Sequence, residues 1–182
     1  MIITISGRPG SGKSVVAARV ADGLGFRHVS AGDFMRELAA ERGLSILELS
    51  RSAEERNSID SEIDTRTVRL AEESDDFVMD ARLGWHFIPD SVKVFLEVSP
   101  ETAAKRIYEA RRGSEHENIT LADTLAAIES RTDSERRRYL TYYGLDYTDP
   151  DQFDLVIDTS DKTIDQVVEE ILGHVDTLRS GL

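Results

Sequence analysis

Near its amino end the chain contains Gly7-Arg8-Pro9-Gly10-Ser11-Gly12-Lys13-Ser14, directly after the apolar run Ile2-Ile3-Thr4-Ile5. The octapeptide matches G-x-x-x-x-G-K-[ST] in full. That motif requires a strand before it and a helix after it. The apolar run predicts the strand, and the pattern from Lys13 to Leu24 predicts the helix. The segment therefore indicates a strand, a glycine-rich turn and a helix, which is the start of a parallel α/β fold.

The chemistry of this segment is phosphate binding. Glycines let the backbone turn tightly, so N–H groups from Arg8 to Val15 can face phosphate oxygens at a helix N-terminus. Lys13 is expected to reach the β- and γ-phosphates of a nucleoside triphosphate, and the Ser14 hydroxyl to coordinate Mg²⁺ directly. The alternative is a glycine-rich turn that binds nothing, and the complete motif in this context disfavours it.

Short apolar runs alternate with longer helical patterns beyond this segment. They predict strands at Arg27–Val29, Phe77–Met79, Val92–Val98 and Leu155–Ile157. Alternating strands and helices favour a parallel sheet with helices on both faces. We expect one domain over residues 1–182. Its core comprises 1–29, 74–110 and 145–182, and the helical segments 30–73 and 111–144 cover the crevice beyond the strand ends.

Composition excludes several classes of protein. The 182 residues carry 35 acidic against 22 basic side chains, a formal net charge of −13, and include no cysteine. Binders of nucleic-acid backbones carry basic surfaces, so no nucleic-acid partner is expected. No apolar run approaches the roughly 18 residues of a membrane span, and no basic leader is present, so no membrane partner is expected either. The absence of cysteine suits a cytoplasmic protein.

Two segments after predicted strands are candidates for binding a second phosphate. Ser30-Ala31-Gly32-Asp33-Phe34-Met35-Arg36 places Asp33 to cap a helix and Arg36 to fork onto an anion. An ordinary capped helix with an exposed arginine is equally compatible with these residue types. In Asp80-Ala81-Arg82, the aspartate can orient Mg²⁺ through water and Arg82 can reach an anion in the crevice. The alternative there is a plain turn at a strand end.

Two groups of arginines follow. Leu121, Leu125, Ile128 and Thr132 form a stripe at helical spacing, and Arg131, Glu135 and Arg138 lie along its edge. Charges beside a buried face are costly unless they bind something, although a solvated salt-bridge ladder fits the same spacing. Arg106, Arg111 and Arg112 end the preceding helix. They could neutralise a transferring phosphoryl group from a lid, or simply complement the helix dipole.

With these segments in view, the chain resembles the P-loop nucleoside monophosphate kinases, most closely cytidylate kinases of the archaeal type, from Met1 to about Leu172. Ser30–Arg36 is similar to the family's Ser/Thr-x-Gly-Asp-x-x-Arg segment, and Asp80–Arg82 to its Asp-Gly-Arg turn. Pro89–Leu96 and Ile128–Arg138 resemble further family segments. Three residues depart from the family pattern, namely Ala81 for Gly, Val15 for Thr and Glu135 for the Asp of bacterial relatives.

The resemblance implies a P-loop NTPase three-layer α/β/α sandwich with a five-stranded parallel sheet in the order 2-3-1-4-5. It implies an NMP-binding segment at 30–73 and a lid with its following helix at 111–144. Carried over by position, Ser30, Gly32, Asp33, Arg36, Arg82, Arg131 and Arg138 would hold the monophosphate, and Glu135 would contact the nucleoside. Arg106 and Arg111 would act with Lys13 and Asp80 in catalysis. Asp158 and Thr159 would lie beside the donor's adenine.

The hypothesis is transfer of the ATP γ-phosphoryl group to CMP or dCMP, with Mg²⁺, by a chain that the family pattern implies is a monomer in pyrimidine nucleotide metabolism. Alternatives are a P-loop kinase for UMP, AMP or a shikimate-like acceptor, and a non-catalytic ATP-binding regulatory module. The several arginines favour a phosphorylated acceptor. The sequence leaves open the acceptor base and the choice between ATP and GTP.

Overall fold

The computed structural model describes residues 1–45, 48–49, 57–111 and 120–181. Five strands form one sheet in the order β2-β3-β1-β4-β5, and every neighbouring pair is parallel. The strands are β1 (Ile2–Gly7), β2 (Arg27–Ser30), β3 (Phe77–Asp80), β4 (Val92–Glu97) and β5 (Leu155–Asp158). The predicted fold class and strand order are confirmed, and each predicted strand is present with a boundary shift of one or two residues.

The helices lie between these strands. They are α1 (Lys13–Leu24), α2 (Ala31–Glu41), α3 (Asn57–Glu73), α4 (Gly84–Phe87), α5 (Pro100–Arg111), α6 (Leu121–Tyr143) and α7 (Ile164–Ser180), with a short 3₁₀ helix at Pro150–Gln152. The predicted helix Lys13–Leu24 has those bounds. The polar turn expected after Arg112 lies outside the described residues.

Helices cover both faces of the sheet, which gives three layers. On one face, α1 and α7 pack on Ile3, Ile5 and other buried strand residues. On the opposite face, Phe77 and Met79 pack against the α4 region, and Phe95 packs against aromatic residues from α6 and the loop that follows it. Strands buried on both faces contain few polar residues. They therefore appear in the sequence as the continuous apolar runs from which they were predicted.

The segment after β2 begins with a different cap from the one the sequence predicted. The Ser30 hydroxyl accepts a hydrogen bond from the Gly32 N–H at 3.0 Å, so Ser30 caps α2. The prediction that Asp33 is the cap is wrong, because α2 begins at Ala31 and Asp33 already lies in its first turn. There Asp33 forms an ion pair with Arg36.

Two other helix starts have the expected chemistry. The Ser99 hydroxyl accepts from the Thr102 N–H at 3.2 Å, just before α5 begins at Pro100. Thr120 and Asp123 form a reciprocal capping box at the start of α6. The stripe predicted on α6 is only partly buried, because Ile128 is covered whereas Leu121 is 47% exposed.

The register of the sheet sets the position of the polar residues. Ser30 lies beside Asp80 across the β2–β3 pair, and Glu97 lies beside Asp158 across the β4–β5 pair. Gly7 ends the central strand between these pairs. The carboxyl ends of the five strands therefore form one edge, where ligands bind in open α/β sheets. Among the described helices, none combines the length and apolar character needed to cross a membrane.

Candidate active site

The turn between β1 and α1 has an open backbone. Gly10 and Gly12 have φ values of +81° and +85°, in the left-handed region that favours glycine. A Cβ atom on Gly10 would also lie 2.7 Å from the Cβ of Ala103. Gly12 precedes α1 and has no side chain to cap it, so the first N–H groups of the helix remain available to an anion.

Lys13 and Asp80 meet at the floor of this turn. Their side chains form an ion pair and are 15% and 3% exposed. Burial, and next the guanidinium of Arg82, lower the pKa of Lys13 to about 7. The carboxylate of Glu135 opposes this by favouring the charged ammonium. In this structure Lys13 is therefore held by a buried carboxylate, from which it must move to reach a phosphate.

A second buried cluster surrounds Arg82. Its Nε donates to Glu135 at 2.9 Å, and one terminal nitrogen donates to the Gly7 carbonyl at 2.6 Å. Glu135 also accepts from Arg131 Nε at 2.9 Å and from the Tyr147 hydroxyl at 3.3 Å. Although burial raises the pKa of Glu135, the guanidiniums of Arg82 and Arg131 hold it below its usual range. Glu135 therefore positions two arginines beside the phosphate-binding turn.

Ala81, the departure from the family's Gly, causes no backbone strain. It does not have a positive φ, so alanine is accommodated there. Its N–H donates to the Ile5 carbonyl at 3.3 Å, and its side chain is buried. Val15, the second departure, has its side chain 53% exposed. Since only its backbone N–H is expected to face phosphate, the change from Thr leaves that contact intact.

The two clusters open into one cavity of about 1350 Å³. Most of the predicted site residues line it, namely Arg8, Pro9, Gly10, Gly12, Lys13, Ser14, Val15, Ser30, Gly32, Asp33, Arg36, Asp80, Arg82, Arg131, Glu135 and Arg138. Gly7 contributes its carbonyl to Arg82, and Ser11 is buried under the turn. The structure thus gathers residues that are up to 130 positions apart in sequence around a space large enough for two nucleotides.

Three of the predicted residues, Arg106, Asp158 and Thr159, are not among those that line the cavity. Arg106 donates to the Thr159 hydroxyl at 3.1 Å and to the Thr159 carbonyl at 2.6 Å, so it links α5 to the loop after β5 rather than lining the cavity. Asp158 accepts from the hydroxyl and N–H of Ser160 in that loop. Arg111 ends α5, and its side chain lies outside the described residues, as does Arg112.

The sequence interpretation missed the polar face of α3. Asp60, Ile63, Asp64 and Thr67 line the cavity opposite α6. Asp60 faces Arg138 Nε at 3.4 Å, and Asp64 accepts from the Tyr143 hydroxyl at 2.6 Å. Burial raises the pKa of Asp60 and raises that of Asp64 to about 6. Their i, i+3, i+4, i+7 spacing was the available signal, because it places two acids beside an apolar residue on one face.

The raised pKa of Asp64 predicts a distinctive dependence of stability on pH. Between about pH 4 and 6 the folded state keeps the Asp64 proton that the unfolded chain has lost. The free energy of unfolding of the wild type, relative to Asp64→Asn, is therefore expected to fall as pH rises through this window and to level off above it. Urea unfolding at a series of pH values measures this difference.

A control with the opposite sign is available on α6. The hydrogen bonds from Thr120 lower the pKa of Asp123. The contribution of Asp123 to the free energy of unfolding is complete above the unfolded-state pKa of about 3.9, and it is lost as the pH falls below that value. The free energy of unfolding of the wild type, relative to that of Asp123→Asn, should therefore grow as pH rises. A wild-type-minus-Asp64→Asn difference that rises in the same way would contradict the assignment of a raised pKa to Asp64.

Comparison with solved structures defines the class of fold. Shikimate kinase from Bacteroides thetaiotaomicron superposes with a TM-score of 0.66 at 14% sequence identity, covering 97% of this chain and 98% of that one. At this identity the match shows the fold alone. Together with the glycine-rich turn and its lysine, it places the chain in the P-loop kinase fold.

Comparison with sequences shows the family. The model of the cytidylate kinase-like family matches residues 2–161, so the chain belongs to that family. The chain is 38% identical to the cytidylate kinase of Sulfurisphaera tokodaii, over 96% of this chain and 95% of that protein. It is also 38% identical to the cytidylate kinase of Halobacterium salinarum, over 99% of this chain and 92% of that protein. The predicted resemblance to cytidylate kinases is confirmed.

Proposed function

We propose that this chain transfers the γ-phosphoryl group of ATP to CMP or dCMP, giving CDP or dCDP. The observation that carries the proposal is the cavity itself, in which the P-loop turn and a cluster of arginines share one space. The turn suits the phosphates of a donor, and Arg36, Arg82, Arg131 and Arg138 suit a second, phosphorylated substrate. Family membership and the cytidylate kinases among the relatives support the choice of acceptor.

The acceptor is already an anion, so catalysis depends mainly on position and charge. Lys13 would exchange Asp80 for the phosphates of ATP, and the N–H groups at the start of α1 would hold the β-phosphate oxygens. Arg82 and Arg131, both positioned by Glu135, would bind the monophosphate next to that point. Their positive charge would offset the charge that develops on the transferring group.

The residues present also fit Mg²⁺. Within the described ranges, no group of three or more His, Asp or Glu side chains could hold a metal ion unaided. Magnesium typically takes only one or two protein ligands and completes its shell with phosphates and water. The Ser14 hydroxyl lines the cavity and would bind the ion directly, with Asp80 acting through water. When bound, Mg²⁺ would neutralise charge on the β- and γ-phosphates.

The donor base would lie on the far side of the turn, beside Asp158 and Thr159. Arg106 holds Thr159 in place there, which supports a positioning role for this arginine rather than contact with the transferring group. Arg111, with the rest of segment 111–144, would supply the lid that excludes water. Segments 30–73 and 111–144 would thus act as substrate-binding parts of one domain, in a cytoplasmic monomer.

Two alternatives have less support. A shikimate-like acceptor carries a single carboxylate and no phosphate, so it would use fewer of the four arginines around the site. A non-catalytic ATP-binding module needs neither a second anion site nor a large shared cavity. Both alternatives remain distinguishable by experiment, because they differ in which compounds release ADP.

A panel assay tests the proposal. Release of ADP is measured with CMP, dCMP, UMP, AMP and shikimate, with ATP or GTP as donor and with or without Mg²⁺. We expect the highest kcat/KM for CMP or dCMP with ATP, and no turnover without Mg²⁺. Binding of ATP without turnover of any acceptor would favour the regulatory module, and shikimate-dependent release would favour the small-molecule kinase.

A further inference from the structure

The residues of α6 that line the cavity follow one another along the helix. Arg131 donates to Glu135, which also holds Arg82 against the Gly7 carbonyl, so this part of the helix adjoins the phosphate-binding turn. Arg138 is two turns further, at about 10 Å, and Tyr143 is more than one turn beyond that. A monophosphate held at Arg82 and Arg131 would therefore direct its nucleoside toward Arg138 and Tyr143.

The walls of this distal end come from three helices. Phe87 of α4 and Tyr143 of α6 pack edge to face at 5.8 Å between ring centroids, and both line the cavity. Asp60 and Asp64 of α3 line the cavity as well, and Asp64 accepts the hydrogen bond of the Tyr143 hydroxyl. Aromatic rings support any base by stacking, so they do not distinguish one base from another. One base must therefore be distinguished from another by polar groups, and α3 supplies Asp60 and Asp64.

The hydrogen-bonding capacity of these carboxylates is not exhausted within the described residues. Asp60 Oδ2 and Arg138 Nε are both buried and face each other at 3.4 Å, yet neither makes a hydrogen bond. Asp64 receives one hydrogen bond, from Tyr143, on a single oxygen. Buried polar atoms are normally hydrogen-bonded, so the unsatisfied Oδ2 of Asp60, on a residue that lines the cavity, indicates a ligand with N–H donors.

We infer that Asp60 and Asp64 read the base of the acceptor, by accepting hydrogen bonds from the two N–H groups of an exocyclic amino group such as the 4-amino group of cytosine. The inference rests on the proposed function and adds the residues that select the base of the acceptor. The 4-amino group of cytosine brings the two N–H donors that these carboxylates would accept. Uracil brings one N–H and would place its O4 against a carboxylate, which is repulsive.

The test compares kcat/KM for CMP and for UMP in wild type, Asp60→Asn and Asp64→Asn. Asparagine keeps the shape but offers an N–H₂ group that can donate to O4 of uracil. Each substitution is expected to lower the CMP-to-UMP ratio by about 10- to 100-fold. The ratio is measured within one preparation, so it does not depend on the fraction of a variant that folds. Glu72→Gln, at an exposed position on the same helix, is the matched control and should leave the ratio unchanged.

The outcomes separate the inference from the proposed function. If wild type phosphorylates CMP and the Asp60→Asn and Asp64→Asn variants lower activity toward CMP and UMP equally, the two carboxylates only position Arg138 and Tyr143, and the inference fails. If wild type phosphorylates neither nucleotide, the proposed function fails, and the inference fails with it. A lowered ratio, with Glu72→Gln like wild type, supports both.

Discussion

Replacing Lys13 with methionine is expected to lower kcat by about 10²- to 10³-fold, the usual effect of removing one charge-stabilising donor from a transition state. The same substitution leaves the carboxylate of Asp80, 3% exposed, without its positive partner. Breaking a buried ion pair in this way typically destabilises a protein by about 3–5 kcal/mol. Activity and the free energy of unfolding should therefore fall together, as measured by ADP release and by urea unfolding.

A double variant separates the two effects. Lys13→Met with Asp80→Asn removes both charges, so most of the lost stability should return while turnover stays low. Lys162→Met is the matched control, because Lys162 pairs with Glu170 at the surface and such pairs contribute about 0–1 kcal/mol. Wild-type turnover in Lys13→Met would refute the role proposed for the P-loop lysine.

Replacing Arg82 with alanine is expected to reduce kcat/KM for the acceptor by about 10²- to 10³-fold, with a much smaller change in KM for ATP. The side chains of Arg82 and Glu135 are 15% and 12% exposed, so the variant leaves a buried carboxylate whose remaining charged partner, among the described residues, is Arg131. We therefore also expect a loss of stability of about 3–5 kcal/mol. Steady-state kinetics with each substrate varied in turn measures the first effect.

Two further variants define what Arg82 does. Arg82→Lys keeps the charge but not the planar guanidinium that reaches Glu135 and the Gly7 carbonyl together. Its kcat/KM for the acceptor should therefore lie between those of the wild type and Arg82→Ala. Arg136→Ala is the matched control, since Arg136 is 57% exposed and pairs with Asp146. A variant Arg82→Ala with weaker ATP binding alone would place Arg82 on the donor side and overturn its assignment to the acceptor.

Much of the fold was predictable because its determinants are local. The P-loop motif lies within eight consecutive residues, and the strands buried on both faces appear as continuous apolar runs. The helix from Lys13 to Leu24 needed only its own pattern and the glycines at its ends. The cap of α2 was assigned to the wrong residue, because Ser30 and Asp33 are both good capping residues and the choice depends on where β2 ends.

The pairing of charges between separate elements was not predictable from spacing. Lys13 meets Asp80 because β1 and β3 are neighbours in register, with Ile5 beside Asp80. Arg82 meets Glu135 across 53 positions because Tyr139 of α6 packs with Leu83 and Trp85, just after β3. Arg106 was expected at the lid, yet the loop after β5 passes close enough for its guanidinium to bind Thr159. Each of these contacts depends on how separate elements are stacked.

Sequence alone determined that this chain has a P-loop, a parallel sheet and several arginines suited to phosphate, because backbone conformation and residue chemistry are carried by short segments. Tertiary structure alone decided which arginine each carboxylate holds, and that Asp60 and Asp64 face the cavity. A helix face acquires a function only when its neighbours are in place. Ile59 and Ile63 of α3 pack with residues of α2, and Asp60 and Asp64 line the cavity together with residues of α6. This arrangement depends on where the three helices lie.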